Sequence, residues 1–145
     1  MGTRVAVGAD HAGFRTKEDL KPLLEALGLE VVDLGTHTES ACDYPDHARS
    51  VAGAVSTRRA DWGVLVCGSG TGMAIAANRS AHVRAAVCPD AEYARLARSH
   101  NDANILCLGA RLVPPERVPE IVRTFFDTPF EGGRHAARVG KLEHR

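Results

Sequence analysis

Trp62-Gly63-Val64-Leu65-Val66-Cys67, followed at once by Gly68-Ser69-Gly70-Thr71-Gly72, is the stretch on which the reading of this chain turns. Six nearly all-apolar residues suit a strand buried on both faces, as in the middle of a parallel sheet covered by helices. Three glycines at alternate positions then let the backbone turn tightly and point several N–H groups at one place. A helix is expected from about Met73 to Asn78, so the segment reads strand, tight loop, helix.

The same beat continues on either side. Upstream, Arg4 to Ala9 reads as a strand, and Phe14 to Leu27 carries leucines at 20, 23, 24 and 27, the recurrence of one helical face. Gly28 stops that helix, Leu29 to Leu34 is a second strand, Gly35 to Asp43 a polar loop, and Pro45 to Arg58 a helix. Downstream, a strand over Val83–Val87, a helix over Ala91–Ser99 and a strand over Asn104–Leu108 are expected. Pro114 and Pro115 open a helix reaching about Phe126, and after Pro129 the pair Gly132-Gly133 sets off a basic terminal segment, Arg134 to Arg145. Five strands alternating with helices predict a Rossmann-like, doubly wound five-stranded parallel sheet: a three-layer α/β/α sandwich with a C-terminal helix. Ligands of such sheets sit at the carboxyl ends of the strands.

The bulk numbers narrow the function. At 145 residues and 44% hydrophobic, residues 1–145 fit one domain with a real core. Lysine plus arginine and aspartate plus glutamate stand at 18 each, so no global field draws the protein to nucleic acid or to an acidic membrane. No segment approaches the roughly 20 apolar residues needed to span a bilayer, and a cytoplasmic location is expected. Cys42, Cys67, Cys88 and Cys107 are spread singly, without a C-x-x-C pair or a zinc-type Cys/His cluster, so reduced thiols and no metal are expected.

Unusual polar residues fall just after the predicted strands: Asp10 and His11 after the first, Cys67 to Gly72 after the third, Arg111 after the fifth. The fold would gather them at one edge. The glycine loop is not G-x-G-x-x-G and no lysine follows it as a P-loop requires, so it suits a small anion rather than a dinucleotide. Its plainer reading is a tight strand-to-helix turn. Beside those N–H groups and a helix start, Cys67 is placed where a thiolate becomes usable, although a strand-end cysteine also suits the core. Cys88 and Cys107, in apolar strands, read as core, and Cys42 lies in a polar loop. His100, in Ser99-His100-Asn101-Asp102 after a predicted helix, can act as a general acid-base or simply cap a surface helix. Arg134, His135 and Arg138 would share one side of a helix and could clamp a phosphate, or form a solvated basic tail.

Taken together, Gly8-Ala9-Asp10-His11-Ala12-Gly13, Asp43-Tyr44-Pro45, Cys67 to Gly72, Ile75-Ala76-Ala77-Asn78, His100-Asn101-Asp102-Ala103-Asn104 and Glu131-Gly132-Gly133-Arg134-His135 resemble the ribose-5-phosphate isomerase B family, which also holds galactose-6-phosphate and allose-6-phosphate isomerases. The motifs appear in family order and span nearly the whole chain. The resemblance implies an aldose-ketose isomerase of the pentose phosphate pathway, without cofactor or metal, interconverting ribose 5-phosphate and ribulose 5-phosphate through an enediolate. It implies Cys67 as the proton-transfer base, His100 in ring opening, and Ser69 as the hydroxyl that orients the thiol. The N–H groups of Gly68, Gly70, Thr71 and Gly72 would steady the enediolate. His11, Arg111, Arg134 and Arg138 would hold the phosphate, His135 would bind substrate beside them, and Asp10, Tyr44 and Asn101 would contact the sugar hydroxyls or the enediolate. Some members carry a glutamate after the loop instead of the cysteine; Met73 stands at that position here, which assigns the thiol mechanism. The resemblance further implies a homodimer or dimer of dimers, with sites shared between subunits and the segment from about 131 to 145 packed on the partner.

Three other readings stay open at this point. One is an isomerase for allose 6-phosphate or galactose 6-phosphate using the same base. Another is a nucleotide- or flavin-binding module on the same strand-helix rhythm, since fold alone does not fix function. The last is a catalytically silent sugar-phosphate sensor, against which the joint presence of Cys67 and His100 argues.

Overall fold

A computed structural model of the protein describes residues 3–143. The elements run β1 (Thr3–Ala9), α1 (Phe14–Ala26), β2 (Leu29–Asp33), α2 (Tyr44–Ser56), β3 (Trp62–Cys67), α3 (Thr71–Ala77), β4 (Ala85–Val87), α4 (Ala91–Asn101), β5 (Ile105–Gly109), α5 (Val118–Asp127) and α6 (Arg134–Gly140). Met1 and Gly2, and the last two residues of the predicted basic segment, His144 and Arg145, lie outside the described residues.

The five strands form one sheet in the order β2-β1-β3-β5-β4, and every pairing is parallel. Side chains alternate across it with the period of two that a pleated strand imposes. Val5, Val7, Val64, Val66, Leu106 and Leu108 face α1, α4 and α5, meeting Leu20, Leu24, Ala97, Ile121 and Phe125. Ala6, Leu65, Cys67, Ile105 and Cys107 face the other way, against Val51, Ala52 and Val55 of α2 and Met73, Ala74 and Ala77 of α3. Both faces are therefore covered, which is why β3 carries no polar alternation. No helix among the described residues is long and apolar enough to cross a membrane.

Several boundaries differ from the sequence expectation, each for a local reason. The fourth strand starts at Ala85 rather than Val83, because the amide of Arg84 donates to the Asn104 side chain at 2.7 Å and its guanidinium donates to the Asp102 carbonyl. The helix expected from Pro114 begins as a 3-10 turn over Pro115–Arg117, and α5 starts only at Val118. The fourth helix runs two residues past Ser99, so His100 and Asn101 are in its last turn, and Asp102, at φ 48°, ends it in the left-handed region. The loop helix starts at Thr71, two residues before the expected Met73, with Gly70 at φ 82° leading into it.

Candidate active site

From β1 the chain moves to β2 on one side, and β3 lies on the other. At such a switch point the segments leaving the two strands splay apart and open a crevice at their carboxyl ends. An open cleft of about 490 Å³ lies there, lined by Asp10, Tyr44, Cys67, Gly68, Ser69, Gly72, Arg111 and Leu112. Its volume admits a five- or six-carbon phosphosugar alike.

Each lining residue is held by its element. Asp10 follows β1, and its Oδ1 accepts from the N–H groups of Ala12 and Gly13 at 3.0 and 3.1 Å. Gly13 is required there, since a Cβ would collide with the carbonyl of Val66 on β3. Cys67 is the last residue of β3, and the Gly70 N–H donates to its Sγ at 3.1 Å. The Thr71 N–H donates to Ser69 Oγ at 3.2 Å. Two of the loop's N–H groups are thus turned onto the loop's own sulfur and hydroxyl, an arrangement that the glycine pattern did not specify. Arg111 donates its own N–H to the Gly68 carbonyl, and its guanidinium lies over Gly68, bringing positive charge to the loop. Tyr44, at the start of α2, packs its ring against Gly72 so closely that a Cβ there would meet it at 2.5 Å. His11 follows Asp10 in the chain, its Nδ1 3.2 Å from both the amide nitrogen and the carbonyl oxygen of Cys42, which gives that loop cysteine a backbone role.

The other thiols are in different surroundings. Burial pushes Cys88 up to about 12, with the Asp90 charge adding to it. Cys107, wholly enclosed, is pushed well above the ordinary thiol range by burial, with Cys88 and Cys67 adding to it. Both are core thiols, as their sequence context indicates. Met73 is fully buried among α2, α3 and the sheet.

A second cluster lies at the opposite edge. His100 and Asn101 end α4, which leads into the amino-terminal end of β5, whereas Cys67 pairs with Gly109 at that strand's carboxyl end. Four strand steps of about 3.3 Å separate the two edges by roughly 13 Å. Within one chain, then, the structure brings Asp10, His11, Tyr44, the Cys67–Gly72 loop and Arg111 together but leaves His100, Asn101, Arg134, His135 and Arg138 apart from them. In that second cluster the rings of His100 and His135 stack with centroids 4.3 Å apart. Burial, the His100 ring and the Arg134 charge lower the His135 pKa, against a smaller opposing pull from Glu131. Arg134 and Arg138 are exposed on α6.

Two groups of supporting residues escaped the sequence reading. Lys17, buried on α1, donates to Asp33 at 2.6 Å; Asp33 also accepts from Lys21 at 2.9 Å and from the Gly35 N–H at 3.0 Å. The Gly35 carbonyl in turn accepts from the Ala9 N–H at 2.8 Å, fixing the backbone next to Asp10. Glu131, whose carboxylate lies 3.6 Å from His135 Nε2, is the other. No spacing signal reveals Lys17 with Asp33, because their contact is made where α1 packs on β2; Glu131 and His135, four apart, could have been paired as i,i+4 neighbours.

Comparison with known proteins gives a consistent picture. Residues 5–142 match the Ribose/Galactose Isomerase family. Ribose-5-phosphate isomerase B of Escherichia coli K12 is 43% identical over 136 residues, covering 94% of this chain and 91% of that protein. A ribose 5-phosphate isomerase structure from Thermotoga maritima is 48% identical and superimposes with a TM-score of 0.95 over 99% of both chains. The type B ribose 5-phosphate isomerase of Trypanosoma brucei is 45% identical, with a TM-score of 0.96 over 99% of this chain and 98% of that one.

Proposed function

The chain belongs to the ribose/galactose isomerase family, and from that premise we propose that it interconverts ribose 5-phosphate and ribulose 5-phosphate by proton transfer through an enediolate. The observation that carries the assignment is the Gly70 N–H directed at Cys67 Sγ in the open strand-end cleft. That donor fixes the sulfur at the mouth of the cleft, where it can exchange a proton with a bound sugar.

In the open-chain aldose the Cys67 thiolate removes the proton on C2. The electrons of that C–H bond form the C1–C2 double bond, and the C1 carbonyl oxygen takes up negative charge. The thiol then returns its proton to C1, the proton on O2 is given up as the C2 carbonyl forms, and O1 is protonated. Atoms and electrons balance without an external oxidant. With the Gly70 and Thr71 N–H groups engaged by Cys67 and Ser69, the enediolate is left to the N–H groups of the cleft-lining Gly68, Ser69 and Gly72. Ser69, accepting from Thr71, keeps its own hydroxyl proton for the thiol or the substrate. Asp10, with two backbone donors on Oδ1 alone, and Tyr44 are placed for sugar hydroxyls.

Ring opening needs His100 to move a proton between the ring oxygen and the anomeric hydroxyl, and His100 lies at the other edge of its own sheet. A second copy of the chain therefore supplies His100 and Asn101, and with Arg134, His135 and Arg138 it meets the phosphate together with His11 and Arg111. The exposed apolar residues Ile75 on α3 and Leu112 at the cleft support a homodimer that covers them. A homodimer, alone or paired into a dimer of dimers, working in the cytoplasm where phosphorylated sugars are retained, fits this scheme.

Chelator-treated protein is to be assayed on ribose 5-phosphate, allose 6-phosphate and galactose 6-phosphate, beside Cys67→Ala. Turnover of ribose 5-phosphate without added metal, reduced about 10³-fold or more in Cys67→Ala, is the expected result. Undiminished turnover in Cys67→Ala would remove the thiol as base, and preference for a hexose phosphate would replace the substrate.

A further inference from the structure

Three ligand atoms from His100, Glu131 and His135 lie within 4.8 Å of one another. The fold assembles them from two elements. The Glu131 N–H donates to the Ser99 carbonyl at 3.0 Å, which pins the approach to α6 against the last turn of α4 beside His100. Gly132 and Gly133, at φ 66° and 54°, then turn the chain into α6, where the His135 N–H donates to the Gly132 carbonyl at 3.0 Å. His135 consequently faces both Glu131 and His100.

We propose that His100, Glu131 and His135 form a binding site for one zinc-class divalent cation, whose occupancy reversibly arrests the isomerase. Two imidazoles and one carboxylate are the donor set of a three-ligand zinc site with an open fourth position. Calcium and magnesium, which take six or more oxygens, have too few here. With bonds of about 2.0–2.2 Å, tetrahedral ligand atoms sit about 3.3 Å apart. The His135–Glu131 pair, at 3.6 Å, is already close to that. The widest separation must shrink by about 1.5 Å, within the reach of side-chain rotation. Exposed Glu131 and half-buried His100 can turn, and His100 must tilt out of its stack because a metal lies in the plane of each ring. Arg134 and Arg138 nearby weaken a cation's binding, which suits a removable brake better than a permanent structural metal. The inhibitory half rests on the role proposed above for His100: a nitrogen committed to the metal cannot carry the ring-opening proton.

The test uses chelator-stripped full-length protein, titrated with zinc by calorimetry and with cobalt by visible absorption, together with Glu131→Ala and Glu131→Gln. Expected are one ion per chain, a cobalt spectrum without the intense thiolate charge-transfer band, and affinity lowered about tenfold or more in both variants. Their zinc inhibition, taken relative to each variant's own metal-free rate, shifts by the same factor, and added chelator restores the wild-type activity. Absence of binding, a thiolate band marking ligation by Cys67, or unchanged affinity in the Glu131 variants would overturn the site. The titrations need no turnover, so Glu131-dependent binding by an inactive protein would count against the isomerase reading and the arrest while leaving the metal site standing.

Discussion

Cys67 and Cys107 occupy the same face of neighbouring strands, two positions out of register, yet their surroundings differ because one sits at the end of its strand and the other inside it. The end position sets Cys67 beside a following N–H and an open cleft, whereas the interior position encloses Cys107 completely. This contrast was legible in the sequence because glycines follow Cys67 and apolar residues surround Cys107. Asp33 was not legible, since its partner Lys17 comes from another element. Burial alone would raise the Asp33 pKa, but Lys17, Lys21 and the Gly35 N–H outweigh it and hold it at about 2, below the ordinary 3.8. A carboxyl held low contributes stability that is present above its unfolded value and lost as pH falls through its folded one, here between about 4 and 2. With part of the group in solvent, that contribution is about 1–2 kcal/mol. Asp33→Asn is expected to lower stability at pH 7 by about 2–3 kcal/mol, leaving buried Lys17 with Glu18 only, and to flatten acid unfolding over that window. Denaturant unfolding at pH 7 and at pH 3 checks both; a variant as stable as wild type at pH 7 would contradict the role.

At the scale of elements, the β3 loop into α3 joins fold to chemistry. Gly70 holds a left-handed φ of 82°, and a Cβ there would lie 3.0 Å from the Leu108 carbonyl carbon on β5. Gly70→Ala should cost about 1–2 kcal/mol, and the larger effect should be on kcat, because the displaced N–H is the one that reaches Cys67. Melting and steady-state kinetics together check this; unchanged kcat in a folded variant would detach the loop from catalysis. The loop, all five strands and both helical layers could be read from periodicity and glycine spacing. The end of α4 could not, because Asp102 takes a left-handed φ without being glycine, held by Arg98, which donates to its carboxylate at 2.8 Å and to the Ala103 carbonyl at 2.8 Å. That cap places His100 in helix rather than loop and fixes which edge of the sheet it occupies.

On the scale of the whole molecule, the sequence order of the motifs concealed their spatial division. Cys67 and His100 belong to opposite edges of one sheet, so the proposed reaction needs one chain's thiol beside a second chain's imidazole. The direct measurement is complementation between Cys67→Ala and His100→Ala, co-refolded in equal amounts and assayed on cyclic ribose 5-phosphate. Each variant alone should be inactive. Random pairing makes half the dimers mixed, and each mixed dimer has one site with Cys67 from one chain and His100 from the other, so activity should return to about a quarter of wild type. A mixture as inactive as its components, in dimers shown to have exchanged subunits, would contradict a site built from both edges.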